Sequence, residues 1–306
     1  MIELHTSDLD VCPGRAVLRR EGRYEPRAPG ALLRGLIAHE CLRLLHSGYA
    51  VPDLLEPAKE AIIMELDKQG REPTDSALES LPSTMSEIMR VLEVYERRIL
   101  PLTHRWTLLG LEVPVNWELS PDIYLASHMD AVWLNEAGHP VIWDWKWRKD
   151  SPTIADLGRN LQLAAYWGAM QSDLVLLDQC PDSMVSVGKN DDERLWCKMS
   201  PTGDKTVLAA WIDLPSLKPY SRATIGQDDT GRAVQFQKGD DRPLTRVIRW
   251  CHFQKDNLPN VRKELLRRGE MLRPDQEPLF IPQPGMCAHC ECEAFCPRFD
   301  MVDPIG

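Results

Sequence analysis

The sequence predicts an α/β fold: a mixed central sheet flanked by helices, with a helical elaboration on its N-terminal side. Apolar residues recur at helical spacing over 31–47, which predicts a long first helix. Three segments rich in β-branched and aromatic residues lie between 107 and 147, which predicts strands. A helical pattern over about 154–171 follows them, so strands and helices alternate as in an α/β core.

The other N-terminal elements are two helical patterns at 54–69 and 84–100, separated by the polar, proline-containing stretch 70–83. The three predicted strands are TLLGLEVPVNW, DIYLASHMDAVWL and PVIWDWKW. Turn-forming residues separate them, at Ser120 and Pro121 and again between Glu136 and Pro140. Three consecutive strands with short turns predict at least a meander.

The C-terminal half gives weaker signals. Residues 174–177 have the composition of a strand, whereas 180–242 are polar and offer only VLAAWIDL as a strand. A long helix is predicted from about 243 to 269, interrupted near Pro259. We therefore expect five segments: an N-terminal segment 1–30 that joins a cysteine site, a helical elaboration 31–106, a core 107–180, an insertion or variable region 181–242, and a C-terminal helix with a cysteine segment 243–306.

Length and composition limit the class of protein. With 306 residues and 43% hydrophobic content, the chain can bury an ordinary core, which argues against a disordered or fibrous protein. It has no uninterrupted run of roughly 18 apolar residues, the length that a membrane span needs. The N-terminus lacks a basic flank followed by an apolar run, so we find no export signal and expect a cytoplasmic protein.

The formal net charge of -10 argues against a protein that coats nucleic acid with its whole surface. Over 242–273, however, nine Lys or Arg residues stand against three Asp or Glu. This segment is either a basic face for nucleic acid or a solvated helix face.

Asp144 and Lys146 lie two residues apart in VIWDWKW, so on a strand they project from one face. Asp130, on the preceding strand, would bring a second carboxylate near Asp144. Two convergent carboxylates suit Mg²⁺ or Mn²⁺, which activates water, while a neighbouring lysine stabilises developing negative charge. The pattern predicts phosphodiester hydrolysis, although an exposed Asp–Lys pair on a strand edge gives the same spacing.

Two further patterns are weak when taken alone. Gln162 and Tyr166 are four apart on the predicted helix, which places them on one face. His39 lies in the first helix between Gly35 and Glu40, where it is either a metal ligand or an ordinary helix histidine. An imidazole ligand fits Mn²⁺ better than Mg²⁺.

Together these residues fall in the order helix, strand, strand and helix: His39, Asp130, Asp144-Trp145-Lys146 and Gln162…Tyr166. The set resembles the RecB-like, Cas4-like branch of the PD-(D/E)XK nucleases, which implies a restriction-endonuclease-like core. The resemblance implies that a metal is held by His39, Asp130, Asp144 and the main-chain carbonyl of Trp145. It also implies that Lys146 is the catalytic lysine.

The same resemblance covers three more residues. Gln162 and Tyr166 match the family's QxxxY motif, which places substrate or supports the active site. Glu112, in LEVPV, occupies a strand position where these families often carry a glutamate, although an exposed strand carboxylate gives the same pattern.

Nine cysteines in a chain without an export signal indicate metal rather than disulfides. Four are clustered near the C-terminus: Cys287, Cys290, Cys292 and Cys296. This run resembles the end of the iron–sulfur members of the branch, and Cys12 in SDLDVCPG resembles their start. The resemblance implies a [4Fe–4S] cluster on Cys12, Cys287, Cys290 and Cys296 that ties the chain ends together. Zinc is the alternative, because Cys292 could complete a site without Cys12.

From this resemblance we expect a Mg²⁺- or Mn²⁺-dependent DNA exonuclease that acts on single strands or duplex ends. Its setting would be recombination, repair, phage replication or CRISPR adaptation, with a protein partner in such a complex. The sequence has no GxxxxGK[ST] loop, so a helicase motor would have to come from a partner. The alternatives are a non-catalytic nucleic-acid-binding scaffold and a zinc-ribbon regulator. The intact Asp130, Asp144 and Lys146 favour the enzyme.

Overall fold

The computed structural model describes residues 1–6, 9, 12–24, 27–147, 160–172, 174–200, 206–217, 224–227, 233–236, 244–251, 253–273, 275, 279, 290, 292 and 296. The helices are α1 (Pro13–Arg20), α2 (Gly30–His46), α3 (Leu55–Lys68), α4 (Asp75–Arg98), α5 (Leu161–Ser172), α6 (Leu244–Val247) and α7 (Leu258–Glu270). The strands are β1 (Ile2–His5), β2 (Arg27–Ala28), β3 (Glu72–Pro73), β4 (Thr107–Ser120), β5 (Ile123–Leu134), β6 (Pro140–Lys146), β7 (Val175–Leu177), β8 (Met184–Lys189), β9 (Leu195–Met199), β10 (Leu208–Asp213), β11 (Thr224–Gln227), β12 (Ala233–Phe236) and β13 (Ile248–Cys251).

One mixed sheet organises the molecule. Its strands follow the order β13-β10-β6-β5-β4-β7-β9-β8, and β1 pairs with β5 outside this path. The strands β4, β5 and β6 form the predicted antiparallel meander. Because β10 pairs with β6 in parallel, the sheet is mixed, as the sequence predicts.

Strand β5 has two partners along one of its edges. Residues 123–126 pair in parallel with β1, and residues 131–134 pair antiparallel with β6. Within the described residues, 127–130 have no strand partner on this edge. This opening beside Asp130 is where the candidate site lies.

The two faces of the sheet bury separate apolar cores. Leu163 and Trp167 of α5 pack on one face with Trp211 and Ile142. The other face packs against α2 and α4, and it buries Trp143 and Trp145. Since side chains alternate along β6, Asp144 and Lys146 point toward the α5 side.

The N-terminal helices differ from the prediction in one place. Residues 75–83, which the sequence places in a polar connection, are the first turns of α4. The Thr74 side chain accepts a hydrogen bond from the Ala77 amide, as an N-cap residue does. Pro82 is tolerated inside this helix, which buries Ile88 and Tyr95 further along.

The polar region 180–242 contains more sheet than its sequence indicates. The prediction of a single strand there is wrong, because β8 and β9 form a hairpin that extends the central sheet through β7. Most of β8 faces solvent, so it lacks the apolar alternation that predicts a strand. The strand predicted at 207–214 is confirmed as β10.

The long helix predicted over 243–269 is also wrong in part. Residues 248–251 form β13, which pairs antiparallel with β10 at the sheet edge. Sheet pairing, a long-range interaction, outweighs the local helical spacing there. Pro259 lies in the first turn of α7, where a missing amide proton costs little. The predicted helix at 154–171 is α5, whose first residue is Leu161; 148–159 lie outside the described residues.

Among the helices that the structure describes, none combines the length and apolar character that a membrane span requires.

Candidate active site

Asp130 and Asp144 lie at the point where β5 and β6 separate. The last paired residues of these strands are Ala131 and Trp143, and the same register would place Asp130 opposite Asp144. The Trp145 main-chain amide instead donates a 2.6 Å hydrogen bond to Asp130 Oδ2. The Asp130 carboxylate therefore accepts the hydrogen bond that a main-chain carbonyl of β5 would accept if the ladder continued to Trp145.

Lys146 Nζ donates a 2.7 Å hydrogen bond to Asp144 Oδ1. The Asp144 side chain is almost completely buried, and that of Lys146 is 14% exposed. The ammonium also lies 5.8 Å from the ring centre of Trp211. Asp144 Oδ2 is buried and has no hydrogen-bond partner among the described residues.

His39 reaches the same site from α2. Its Nδ1 lies 3.4 Å from Asp130 Oδ1. Its ring meets the indole of Trp145 edge to face, with the ring centres 6.2 Å apart. The structure thus brings His39, Asp130, Asp144, Trp145 and Lys146 together.

The two carboxylates have opposite pKa shifts. Burial raises the pKa of Asp144 to about 6, because Lys146 only partly offsets the lost hydration and Asp130 adds repulsion. Burial also opposes ionisation of Asp130, but His39, Lys146 and the Trp145 amide outweigh it, so its pKa lies below the usual value. The charge on Asp130 is therefore well compensated by its neighbours, whereas the charge on Asp144 is compensated only in part.

The cationic groups are stabilised in return. Burial disfavours the charged form of His39, yet Asp130 raises its pKa above the usual value. Burial likewise disfavours charge on Lys146, but Asp144 and Asp130 raise its pKa. The lysine is therefore an ammonium at neutral pH, not a proton acceptor.

Gln162 and Tyr166 lie on one face of α5, as predicted. Gln162 Nε2 donates a 3.0 Å hydrogen bond to the Tyr166 hydroxyl. That hydroxyl is 3.1 Å from Thr6 Oγ1 and 3.3 Å from Ser127 Oγ, and the two latter oxygens are 2.5 Å apart. Sequence reasoning missed Thr6 and Ser127, because only the long-range pairing of β1 with β5 brings them to the site.

Glu112 is the predicted residue with the most unusual backbone. Its φ is 44°, a conformation that residues other than glycine rarely adopt. The β4–β5 register places it opposite Asp130. Burial, reinforced by the charge of Asp130, raises the pKa of Glu112 to about 7. It is half-buried beside the carboxylates, not an exposed strand residue.

A cavity of about 470 Å³ opens beside these residues. Its walls come from α2, α3, β4 and the end of β6, and they include Gly35, His39, Ile62, Glu112 and Lys146. A larger cavity, about 720 Å³, lies elsewhere, between β1 and α1. Of these two cavities, the smaller one is lined by His39 and Lys146, so chemistry rather than size identifies the site.

The predicted cluster ligands are partly described. Cys12, Cys290 and Cys296 are half-buried thiols, and Cys287 lies outside the described residues. An N-terminal and a C-terminal segment are in contact, because the Gly14 amide donates a 3.0 Å hydrogen bond to the Leu279 carbonyl. Cys292 is buried, with its thiol 3.9 Å from the Arg15 carbonyl. These contacts join the ends without defining a ligand set.

In the part of the chain that the structure describes, no three His, Cys, Asp or Glu side chains converge as a preformed metal site. Asp130 is bound to His39 and to the Trp145 amide, and Asp144 is bound to Lys146. The unpartnered Asp144 Oδ2 nevertheless fits a cation, since a buried carboxylate oxygen without a partner is costly. The residues present therefore suit a hard divalent ion.

Comparisons with known proteins give likenesses to individual proteins and one family. The chain is 25% identical over 176 residues to the inner membrane subunit of the spanin of Enterobacteria phage T3, covering 57% of this chain and 96% of that protein. It is 12% identical to SSO0001, a solved crystal structure, with a TM-score of 0.30 and 93% of each chain covered. Neither likeness carries a functional argument. The model of the PD-(D/E)XK nuclease superfamily, in contrast, matches residues 5–297, and this chain therefore belongs to that superfamily.

Proposed function

We propose that this chain is a divalent-metal-dependent exonuclease that hydrolyses DNA phosphodiesters. Membership in a nuclease superfamily supports hydrolysis of nucleic acid. The proposal rests on the two oxygens of the Asp144 carboxylate. Oδ1 accepts a hydrogen bond from Lys146, whereas Oδ2 is buried and has no partner among the described residues. An unsatisfied buried polar group costs about 1–3 kcal/mol, and more when charged, so this arrangement is best explained by a ligand that the site binds.

Four groups would hold the ion: His39, Asp130, Asp144 and the main-chain carbonyl of Trp145. Nucleases of this superfamily use divalent metals. The carboxylate and carbonyl oxygens suit Mg²⁺ or Mn²⁺, and the imidazole of His39 favours Mn²⁺. When bound, the metal would polarise the phosphate and lower the pKa of a bound water.

The chain's own groups would orient the substrate and stabilise charge. Lys146 is held between Asp144 and the ring of Trp211, so its remaining ammonium protons would donate to an anionic phosphate oxygen as charge develops. The hydroxyl of Tyr166, held by Gln162, would place the substrate or support the site from the α5 side.

The cavity supports single strands or duplex ends as the substrate. At about 470 Å³ it has the size of a small-ligand pocket, which suits a nucleotide or two rather than the cross-section of a duplex. Leu32 and Leu36 give it apolar walls, and the ring of Trp147 offers a surface on which a base could stack. As in the branch it resembles, products would carry 5′-phosphates and 3′-hydroxyls.

We further propose that the protein belongs to the RecB-like, Cas4-like branch and carries a [4Fe–4S] cluster on Cys12, Cys287, Cys290 and Cys296. The contact between Gly14 and Leu279 supports this, because it brings a segment next to Cys12 against a segment that precedes the C-terminal cysteines. Ligand binding would then stabilise the fold, since metal-binding free energy becomes folding free energy. The setting would be recombination, repair, phage replication or CRISPR adaptation, with a protein partner.

The test is cleavage of end-labelled single- and double-stranded DNA by anaerobically purified protein with Mn²⁺ or Mg²⁺. We expect Lys146→Ala to lower the rate by about 100-fold or more, as loss of a charge-stabilising group does. Lys198→Ala is the matched control, because Lys198 is an exposed lysine on another strand, β9. Wild-type protein that binds DNA without cleaving it would support the scaffold alternative and refute the proposal.

A further inference from the structure

A buried hydrogen-bonded group lies behind the candidate site, on the opposite face of the sheet. Trp145 Nε1 donates a 3.2 Å hydrogen bond to the hydroxyl of Tyr95, and that hydroxyl lies 2.8 Å from His46 Nε2. The imidazole of His46 stacks on the indole of Trp145, with ring centres 5.4 Å apart and an interplanar angle of 8°. Tyr95 and Trp145 are completely buried.

The direction of the first of these hydrogen bonds follows from its donor. An indole N–H can only donate, so the Tyr95 oxygen accepts from Trp145, and the direction of the bond between Tyr95 and His46 Nε2 follows the tautomer of the imidazole. The indole is thereby held at its edge by Tyr95 and on its face by His46. A side chain fixed in two directions has little freedom to change rotamer, and each buried hydrogen bond contributes about 1 kcal/mol.

The neighbouring tryptophan on the same face provides a comparison. Trp143 is as fully buried as Trp145 and lies two residues earlier on β6. Its indole N–H has no partner among the described residues, and neither have those of Trp133 and Trp167. A buried indole in this protein therefore does not always have a hydrogen-bond acceptor. The presence of the Tyr95 hydroxyl at the indole of Trp145 needs another explanation.

The main chain of Trp145 supplies that explanation. On one edge of β6, Trp145 pairs with Ile212 of β10. On the other edge the ladder with β5 ends at Ala131 and Trp143, so no strand partner on that side holds the Trp145 peptide. Its amide donates instead to Asp130 Oδ2, at 2.6 Å. Asp130 Oδ1 in turn lies 3.4 Å from His39. The indole and the main-chain amide belong to the same residue. Contacts that hold the indole in place therefore also restrict the orientation of the amide.

We propose that His46 and Tyr95 are positioning residues for the candidate site: they fix the indole of Trp145 and thereby the main-chain amide that orients Asp130. They act through Trp145 and do not reach the cavity. The inference rests on the proposed function for its catalytic part only, because the orientation of Asp130 is a property of the chain itself.

The test compares Tyr95→Phe with Ile88→Val. Tyr95→Phe removes one oxygen and keeps the ring, whereas Ile88→Val removes one carbon from another fully buried position of α4, outside the group. A buried Ile→Val change costs about 0.5–1.5 kcal/mol, similar to the loss of one hydrogen bond, so the two variants are matched in stability. Both are first compared by denaturant unfolding.

The first readout is hydrogen exchange of the Trp145 amide, without metal or DNA. We expect exchange about tenfold faster in Tyr95→Phe than in Ile88→Val. Equal exchange in the two variants overturns the inference, whether or not the protein cleaves DNA.

The second readout is the kinetics of DNA cleavage in Mn²⁺. We expect kcat to fall by about 10–100-fold in Tyr95→Phe, the range for partners that orient metal ligands, with a higher Mn²⁺ requirement and an unchanged KM for DNA. Unchanged kcat despite faster exchange refutes the catalytic part, and so does a parallel fall in Ile88→Val. Inactive wild-type protein would instead refute the proposed function and leave the exchange result to decide the positioning of Asp130.

Discussion

Lys146 Nζ lies 2.7 Å from Asp144 Oδ1, on the same face of the same strand. The contact satisfies one carboxylate oxygen and leaves the other, Oδ2, buried without a partner among the described residues. Burial accordingly raises the pKa of Asp144 to about 6. Desolvation of this carboxylate costs free energy, and a bound cation would offset that cost.

Asp144→Asn should remove Mn²⁺ binding measured by calorimetry in the absence of DNA. The amide keeps the shape of the side chain but loses the negative charge, so we expect the affinity to fall by about 100-fold or more. Asp182→Asn, at an exposed position, is the control and should bind as the wild type does. Retained Mn²⁺ affinity in Asp144→Asn would show that the ion, if bound, lies elsewhere.

Acid should destabilise the protein through His46. Burial lowers the pKa of His46 to about 4 in the folded chain, against 6.5 for the ordinary side chain. Between these values the unfolded chain binds the proton and the folded chain does not, so the free energy of unfolding falls as pH drops from 6.5 to 4. At about 1.4 kcal/mol per pKa unit, the loss is about 3 kcal/mol.

This loss is measured by urea unfolding at several pH values. His46→Gln, which can still hydrogen-bond Tyr95 but does not titrate, should show a smaller slope over the same pH range. Identical slopes for the variant and the wild type would mean that other groups cause the acid sensitivity.

Two helical glycines should respond in opposite directions to alanine. A Cβ on Gly168 would lie 2.7 Å from Trp117, which is buried, so Gly168→Ala should lower the free energy of unfolding by about 1–3 kcal/mol. A Cβ on Gly35 would meet no atom within 4 Å, so Gly35→Ala should gain up to about 1 kcal/mol from helix propensity.

Both changes are read by denaturant unfolding, and each serves as the control for the other. Gly35 also lines the cavity. If Gly35→Ala is more stable but cleaves DNA more slowly, the slower cleavage comes from restricted access of the substrate and not from unfolding. A stabilised Gly168→Ala would show that α5 can move away from the sheet.

The visible absorbance of cysteine variants should distinguish the cysteines that bind the cluster from those that do not. Anaerobically purified protein should be brown, and Cys12→Ser should lose both the visible absorbance and the iron, because a [4Fe–4S] cluster needs its thiolates. Cys292→Ser is the control and should keep the colour. Colourless wild-type protein that contains zinc, with zinc lost in Cys292→Ser, would contradict the proposed ligand set.

Local patterns predicted much of the fold. The meander β4–β5–β6 and the helix α2 have the predicted order and nearly the predicted bounds, since each carries its own apolar periodicity. The elements that the sequence misassigned depend on distant partners. Strand β13 pairs with β10, and the solvent-facing β8 pairs with β9.

The candidate site divides in the same way. The spacing of Asp144 and Lys146, and that of Gln162 and Tyr166, is a local property of a strand and a helix. In the structure each of these pairs is joined by a hydrogen bond. Thr6 carries no comparable pattern, because its place beside Tyr166 depends on the pairing of β1 with β5.

The sequence by itself determined which residue types lie on which elements, because strand and helix periods fix which side chains share a face. Only the tertiary structure decided that β5 and β6 separate at Asp130, that Trp145 gives its amide to that carboxylate, and that His46 and Tyr95 hold the indole behind it. These relationships join residues far apart in the chain. They depend on how the sheet and its two helical layers pack, which no local period encodes.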